Sequence, residues 1–300
     1  MQQVVVIGCG RVGTTMALAL MSAGYDVTAG LARQSDSPSA LQFAGATGVG
    51  VFHLKSEEAI FRGRSADVIF ITTPDKAVTE TAQTLVEQDM VHEGQVVIHT
   101  SGALTSDALA PVRSKGATAL SLHPLQTIAA ATVGQSILKG AYCTLEGDPS
   151  AVEVGNTLVR VWGGIPAIID ASLRPRYHAA AVLASNAVVA LAAVAAQLSG
   201  LPDGLQALLP LLKGAVKNLE TLGLPNALTG PVERGDVLTV QAHMAALQHN
   251  PTAQLVYAAM GKATADLAQE KGTLSHPMWQ SFTALFMDQA RESLPTDDAH

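Results

Sequence analysis

The stretch that decides the fold of this chain is Val4-Val5-Val6-Ile7-Gly8-Cys9-Gly10-Arg11-Val12-Gly13. It opens with an unbroken run of β-branched residues, which is typical of a parallel strand covered on both faces. The glycines that follow have the spacing G-x-G-x-x-G, and a helix is predicted at 14–23 before a second strand at 25–29. Together these segments predict a βαβ unit of about thirty residues.

A glycine turn in this position predicts a dinucleotide site. Gly8 allows the tight turn, Gly10 lets the backbone approach a pyrophosphate, and Gly13 lets the helix pack on the strand. The free N–H groups at the helix N-terminus attract phosphate oxygens. A tight turn without a ligand is the alternative. The cofactor contacts predicted from the turn are Gly8, Cys9, Gly10, Arg11, Val12 and Gly13.

The end of the second strand distinguishes NADP from NAD. An NAD site normally has an Asp or Glu there, which binds the ribose 2′-hydroxyl. Asp26 comes before that end and Asp36 falls in the next loop, whereas Arg33 and Ser35 stand where a 2′-phosphate would be bound. NADP(H) is therefore predicted as the cofactor. The alternative is that Arg33 is a solvated loop charge.

The rest of the chain predicts a doubly wound sheet followed by helices. Further strands are predicted at Val49–His53, Asp67–Ile71, Gln95–His99, Ala117–Leu122, Ala141–Leu145 and Ile165–Ile169. Helical patterns then follow at 173–199, 203–222, 235–248, 252–271 and 277–292. The predicted fold class is α/β, with a Rossmann domain at 1–170 and an all-α domain for substrate binding and dimerisation at 171–300.

Ligands of open α/β sheets bind beyond the carboxyl ends of the strands, so the residues there are the next candidates. The predicted cofactor contacts are Thr72, Thr73, Pro74, Thr100, Ser101 and Gly102, and the predicted substrate contacts are His99 and Gln126. His123 follows another strand, where an imidazole can transfer a proton. A helix cap at Thr73-Pro74 and structural roles for both histidines are the alternatives.

The helical half contains one long apolar segment, Ala179–Leu198, which has the length of a membrane span. Its alanine content and its Asn186 favour instead a helix buried on most sides. His178, Ser185 and Asn186 share one face by spacing, where they meet nicotinamide and substrate or satisfy neighbouring backbone. Thr229 is a further substrate candidate, in a turn that Asp236 is predicted to cap.

Composition argues against several other classes of protein. The net charge of -7 would repel a phosphate backbone, so nucleic acid is not an expected partner. Cys9 and Cys143 have no metal-type spacing, and the start of the chain lacks the basic region of a signal peptide. We therefore expect no metal, no membrane and a cytoplasmic location.

The chain resembles a family of bacterial Rossmann-type oxidoreductases whose C-terminal helical domain has no assigned function. The resemblance is carried by the Gly8–Gly13 turn, His99-Thr100-Ser101-Gly102-Ala103, Ser121-Leu122-His123-Pro124-Leu125-Gln126, Tyr177-His178-Ala179-Ala180-Ala181 with Ser185-Asn186, and Thr229-Gly230-Pro231 with Arg234-Gly235-Asp236. It implies a helical domain like those of 6-phosphogluconate dehydrogenase, pyrroline-5-carboxylate reductase and ketopantoate reductase, and a homodimer. It also implies NADP-dependent reduction of small oxo or imino acids, ketopantoate among them.

The sequence departs from the better-known relatives at the proton donor. Those proteins use a lysine on the long interdomain helix, whereas the matching helix here offers His178 and Asn186. The leading hypothesis is hydride transfer with His123, His178 and Asn186 as catalytic residues. Lys213 and Lys217 on the following helix are secondary candidates for the donor.

Two other functions remain open at this stage. One is a module that binds and senses NADP(H) without turnover, because fold does not dictate function. The other is an NADP reductase that uses a deazaflavin, which ranks last because only 4% of the residues are aromatic.

Overall fold

In the computed structural model, which describes residues 2–129 and 137–292, the chain divides into two compact units. The first unit runs to Ser185 and the second begins at Asn186. The strands of the first unit are β1 (Gln3–Ile7), β2 (Asp26–Ala32), β3 (Val51–His53), β4 (Val68–Ile71), β5 (Val96–His99), β6 (Thr118–Pro124), β7 (Tyr142–Gly147) and β8 (Ile165–Ile168). Its α-helices are α1 (Arg11–Ser22), α2 (Pro38–Thr47), α3 (Glu57–Ser65), α4 (Val78–Glu87), α5 (Ala110–Arg113), α6 (Pro149–Val161) and α7 (Arg174–Ala184). The predicted domain boundary at residue 170 stays a prediction. Helix α7, which follows that position, belongs to the first compact unit.

The strands form one sheet in the order β3-β2-β1-β4-β5-β6-β7-β8. All neighbouring pairs are parallel except β6 and β7, which are antiparallel. The predicted α/β fold with flanking helices is thereby confirmed. β6 is longer than predicted, because pairing with β7 extends it through His123 to Pro124. His123 is therefore one of the last paired residues of β6, opposite Thr144 of β7, and does not lie in a loop.

Both faces of this sheet are covered, as the β-branched runs predict. In β1, Val4 and Val6 belong to one buried cluster, whereas Val5 and Ile7 belong to the cluster on the opposite face. Phe70 in β4 is fully buried in the first of these clusters. Burying a side chain of this size stabilises the fold by about 1.5–3 kcal/mol. The sheet thus holds the carboxyl ends of its strands in fixed positions.

The second unit is all-helical, which confirms the predicted change of architecture. It consists of α8 (Asn186–Leu198), α9 (Gly204–Leu222), α10 (Val237–Ala246), α11 (Pro251–Lys271) and α12 (His276–Glu292). Phe282 and Phe286 of α12 lie at the centre of its core. Gly261 of α11 leaves room for the Phe286 ring, which would contact any side chain at that position.

Two predictions about the long apolar helix are wrong. The helix is not continuous over 173–199, because Ser185 has φ -127 and ψ -78 and separates α7 from α8. The Ser185 hydroxyl donates to the Ala181 carbonyl at 2.7 Å, a bond that competes with the helix ladder. The helix is not buried either, because none of the residues of α8 is buried and Val189 is 72% exposed.

By length and composition alone, Ala171–Leu198 is the one described segment that could cross a membrane, with a hydropathy of 2.1. One such helix, judged by length and composition alone, is weak evidence for a membrane span.

Candidate active site

The glycine turn after β1 is enforced by its neighbours. Gly8 has φ +100, and a Cβ there would lie 2.8 Å from the Thr72 carbonyl carbon and the Thr73 nitrogen. A Cβ at Gly13 would collide with the Gly8 carbonyl oxygen. Thr72, predicted as a cofactor contact, braces the turn, because its hydroxyl donates to the Gly8 carbonyl at 2.6 Å.

Gly10 differs from the other two glycines because the space in front of it is open. Its φ is -86, which any residue can adopt, and a Cβ there would meet no described atom within 4 Å. Gly10 is also the N-cap of α1, and no described side chain caps this helix. The turn is therefore a concave backbone surface with helix N–H groups and positive dipole at its base. These features fit a pyrophosphate.

Cys9, Arg11 and Val12 take different orientations around this turn. The Cys9 side chain points into the core, where its thiol lies 3.7 Å from the Leu31 carbonyl oxygen and burial raises its pKa to about 12. The Cys9 thiol therefore belongs to the buried core of the sheet, and a cofactor contact through the Cys9 backbone stays a prediction. Val12 packs against the same core. The exposed Arg11 guanidinium donates to the Ala129 carbonyl at 3.0 Å.

The end of β2 has the character expected for a 2′-phosphate site. The strand continues to Ala32, so Arg33 is the first residue beyond it. Arg33 is exposed and Ser35 is partly buried. Asp26 begins the strand, at its far end, and Asp36 follows in the next loop.

Thr73 and Pro74 follow β4 next to the glycine turn. The alternative of a helix cap is wrong, because the short 3₁₀ turn begins at Asp75 after Pro74 and has no side-chain cap. The buried Thr73 hydroxyl has no hydrogen-bond partner among the described residues. An unpaired buried hydroxyl is costly, so its position beside Gly8 fits a bound polar ligand.

His99 is a structural residue, and its prediction as a substrate contact is wrong. It is fully buried at the end of β5. The Ser101 N–H donates to its Nδ1 at 3.2 Å, so Nε2 carries the proton and donates to the Thr105 carbonyl at 2.9 Å. Burial lowers its pKa. Both ring nitrogens are therefore engaged in holding the loop at 100–105.

Two more predicted contacts have structural partners. The Ser101 hydroxyl accepts from the N–H groups of Ala103 and Leu104, at 3.2 and 3.1 Å, so it shapes the loop and does not face a cofactor. The Gln126 amide donates to the Ile137 carbonyl at 3.2 Å. Short polar side chains in turns commonly bond to nearby backbone in this way. Thr100 and Gly102 lie in the loop that Ser101 shapes.

His123 and His178 are brought together around Gly102. A Cβ on Gly102 would lie 2.5 Å from His178 Nδ1 and 2.8 Å from His123 Nε2, so both nitrogens face this glycine. The two rings are 5.9 Å apart between centroids and nearly perpendicular, at 81°. His178 Nδ1 is buried and has no partner among the described residues. The structure thus places the two predicted imidazoles beside the backbone of one loop.

Tyr177 completes this group and was not predicted as a site residue. Its hydroxyl shares a hydrogen bond of 2.8 Å with His123 Nδ1. Burial, then the positive charge of Arg174, lowers the pKa of His123 to about 4, so the ring is neutral at pH 7. Burial raises the pKa of the Tyr177 hydroxyl. The adjacency of Tyr177 to His178 was the available sequence signal.

Arg174 and Glu146 were also missed. Arg174 is fully buried, and its guanidinium reaches the backbone that carries Gly102 and His123. Its spacing of four residues from His178 along α7 places both on one helix face, which the sequence showed. For Glu146, the available sequence signal was an acidic residue within an apolar strand.

The predicted residues of the second unit, together with Ser185 at the end of the first, are only partly tested. Asp236 caps α10 as predicted, with its carboxylate accepting from the Thr239 N–H at 3.1 Å. Thr229 is exposed in the preceding turn. Roles for Asn186, Ser185 and Thr229 in catalysis or substrate binding stay predictions, as do those of Lys213 and Lys217. Within the described ranges, no three His, Cys, Asp or Glu side chains are placed to hold a metal.

Two family models match the chain. Residues 1–124 match a Rossmann-like domain, and residues 141–264 match a domain of unknown function, DUF2520. No curated protein matches the sequence.

Several solved structures share the fold over nearly the whole chain. BF3122 of Bacteroides fragilis, provisionally named an NADP oxidoreductase, is 20% identical with a TM-score of 0.68, over 97% of this chain and 98% of that one. Plasmodium falciparum pyrroline carboxylate reductase with NADP bound is 10% identical with a TM-score of 0.58, over 95% and 98%. An imine reductase from Pseudomonas sp. is 18% identical with a TM-score of 0.54, over 97% and 95%. Residues 1–124 thus match a Rossmann-like domain and residues 141–264 a helical domain of unknown function, the two-part organisation that the sequence resemblance predicted.

Proposed function

We propose that this protein is an NADP(H)-dependent oxidoreductase that transfers hydride to or from a small carbonyl or imine. The observation that carries the proposal is that the glycine turn after β1 and His123, which contacts His178 of α7, lie at the carboxyl ends of mutually parallel strands of one sheet. Ligands of this fold bind at that edge. The resemblance to a pyrroline carboxylate reductase with NADP bound and to an imine reductase supports the reaction class.

The cofactor would occupy the surface that the turn leaves open. The open space at Gly10 and the uncapped N-terminus of α1 fit the pyrophosphate, and the unpaired Thr73 hydroxyl lies beside them. The 2′-phosphate would bind Arg33, which follows β2 where an NAD site has an acid. When bound, NADPH would supply hydride from C4 of the nicotinamide.

The proton would come from His123, with Tyr177 behind it. The neutral His123 ring accepts the Tyr177 hydroxyl at Nδ1, so Nε2 carries the proton that passes to the substrate oxygen or nitrogen. The phenolic proton moves to Nδ1 in turn. Because burial raises the pKa of Tyr177, solvent must return a proton to the phenol within the same turnover. His178 Nδ1 would bind the substrate on the other side of Gly102.

The first test is cofactor binding by Gly10→Ala. A methyl group at Gly10 contacts no described atom and strains no dihedral, so the variant should fold while the methyl fills the pyrophosphate surface. Titration with NADPH should show a loss of affinity of about 100-fold or more. Gly45→Ala in α2 also adds a methyl to open space and is the matched control. Equal affinity of both variants for NADPH would refute the cofactor site.

The second test is turnover. Oxo and imino acids, ketopantoate among them, are screened for oxidation of NADPH by nicotinamide absorbance. His123→Gln and His178→Gln should lower kcat by about 100-fold, the usual contribution of one general acid. Unchanged turnover in both variants would refute the proton pathway. Tight NADPH binding with no turnover on any substrate would favour a sensing role.

We further propose that the protein is a cytoplasmic homodimer that associates through its helical unit. None of the residues of α8 and α9 is buried, and Val189 and Leu211 are each exposed to 72%. An apolar hollow of about 170 Å³ in the same unit, lined by Leu191, Tyr257 and Met260 among others, would receive side chains of a second copy. Buried free thiols at Cys9 and Cys143 suit a reducing compartment.

A further inference from the structure

Arg174 is buried beneath the candidate active site with all of its side chain out of solvent. Its Nη1 donates to the carbonyl oxygens of Ser101 and Gly102, at 3.3 and 3.5 Å. Its Nη2 donates to the Ser121 carbonyl at 3.3 Å. One guanidinium therefore joins the loop after β5 to strand β6.

These carbonyls belong to the backbone that carries the site. Gly102 is the residue against which both imidazoles lie, and Ser121 is two residues before His123 on the same strand. Arg174 itself begins α7, whose next turn presents Tyr177 and His178. All three segments that form the imidazole pair thus meet at one side chain.

Glu146 accompanies this buried charge. Its carboxylate oxygen lies 3.9 Å from Arg174 Nε, and it accepts hydrogen bonds from the Ser106 N–H and hydroxyl at 2.7 and 2.8 Å. A buried guanidinium without an opposite charge is costly, and Glu146 supplies that charge, while Arg174 Nε itself has no hydrogen-bond partner among the described residues. The fork of donors on Arg174 is rigid, whereas a lysine ammonium acts as a point charge.

We propose that Arg174 is a positioning residue, which sets the separation of His123 and His178 by fixing the Gly102 loop and β6 against α7. This inference rests on the proposed function, because the arrangement of the pair affects turnover only if a substrate contacts the two imidazoles. Arg174 would not touch the substrate, since all of its side chain is buried.

The charge of Arg174 also acts on His123. The charged and titratable groups around that ring are Arg174, His178, His99, Asp75 and the hydrogen-bonded Tyr177. Among the charges, Arg174 has the largest effect and lowers the pKa of His123, whereas Asp75 raises it. Position and charge are therefore two separable effects of one residue.

Two variants separate them. Arg174→Lys keeps a cation beside Glu146 but loses the rigid fork, so kcat should fall about 10- to 100-fold, with the KM for NADPH within about 2-fold. The His123 pKa, followed by NMR, should stay low. The double variant Arg174→Gln with Glu146→Gln removes both charges together, which protects the fold. There the His123 pKa should rise by about one pH unit.

Arg64→Gln is the matched control. Arg64 forms an ion pair with Asp89 in the same unit, and its side-chain hydrogen bonds go to Asp89 and not to the carbonyls that Arg174 holds. It should leave kcat, the His123 pKa and the nuclear Overhauser contact between the rings of His123 and His178 unchanged. That contact, between centroids 5.9 Å apart, should weaken in Arg174→Lys.

The readouts separate this inference from the proposed function. If no substrate is turned over, the ring contact and the His123 pKa still decide whether Arg174 positions the pair. A folded Arg174→Lys that keeps the ring contact would overturn the proposal, as would one that keeps full kcat. An unchanged His123 pKa in the double variant would overturn the effect of charge.

Discussion

The two compact units differ in how they treat apolar side chains. In the first unit, β4 and β5 are buried along their whole length, and helices cover both faces of the sheet. In the second unit, α11 and α12 enclose a core, but α8 and α9 have no buried residue. The two units have similar fractions of apolar residues in their sequences, so composition does not distinguish them.

The difference shows where each unit completes its packing. A sheet covered by helices on both faces closes its own core, because the chain returns over each face in turn. In the proposed homodimer, a second copy would cover the apolar residues that α8 and α9 leave exposed. The first unit is therefore expected to be stable by itself, and the second to depend on association.

The largest expected effect is the loss of a core ring from the first unit. Phe70→Ala should lower the free energy of unfolding by about 3–5 kcal/mol, because it leaves a cavity in a closed core. Denaturant unfolding in a Trp279→Phe background reports the first unit through buried Trp162. Phe61→Ala, at a residue 60% exposed on α3, should change it by less than about 0.5 kcal/mol. Equal losses in the two variants would contradict a closed core.

The next effect concerns the exposed helices. Leu211→Glu should weaken self-association by about 100-fold, since a buried charge replaces an apolar contact. Light scattering should give twice the chain mass for the wild type and the chain mass for the variant. Leu41→Glu, at a position 62% exposed on α2 of the first unit, is the control and should stay dimeric. A monomeric wild type would show that the exposed apolar residues of the second unit do not mediate self-association.

Acid should weaken the first unit. His123 is neutral when folded and has its pKa lowered to about 4, so below its ordinary value of 6.5 the unfolded state binds the proton first. Stability is therefore lost as pH falls from 6.5 toward 4, by about 2 kcal/mol at roughly pH 5. His99 shifts in the same direction. Unfolding followed at Trp162 should show the loss, and His123→Gln should show less of it.

The absence of any difference between His123→Gln and the wild type across this pH range would rule out a neutral buried His123. His99 remains in both proteins, so it cancels in the comparison.

The smallest effect is the preference for NADPH. Arg33→Ala should raise the Kd for NADPH about 10-fold and leave that for NADH unchanged, because one charged hydrogen bond to the 2′-phosphate is lost. Arg160→Ala, at an exposed arginine of α6, controls for the change of net charge. Equal weakening for both cofactors would show that Arg33 does not recognise the 2′-phosphate.

Much of the first unit followed from local sequence. The apolar run at 4–7 needs cover on both faces, and close backbone approaches require glycine at 8 and 13, whereas Gly10 leaves open space in front of it. The helix bounds in the second unit were also close, because proline, glycine and a capping Asp236 mark helix ends locally. These features depend on neighbours within a few residues.

The roles of the histidines did not follow from sequence. His99 and His123 both end apolar strands. The two ring nitrogens of His99 are bonded to Thr105 and Ser101, whereas His123 is bonded to Tyr177 and faces Gly102 with Nε2. The partners of His99 are local, two and six residues along the chain, whereas the Tyr177 partner of His123 is 54 residues away. The exposure of α8 could not be predicted from the sequence either, because an apolar pattern does not show which element covers that face of the helix.

The sequence by itself determined the order of architectures, the glycine turn and the missing acid after β2, since backbone propensity and steric need are local properties. Only the tertiary structure decided that Arg174 lies under the site, that His123 is neutral and paired with Tyr177, and that α8 and α9 remain uncovered. Burial, hydrogen-bond pairing and pKa depend on groups brought together from distant parts of the chain, and no local pattern encodes them.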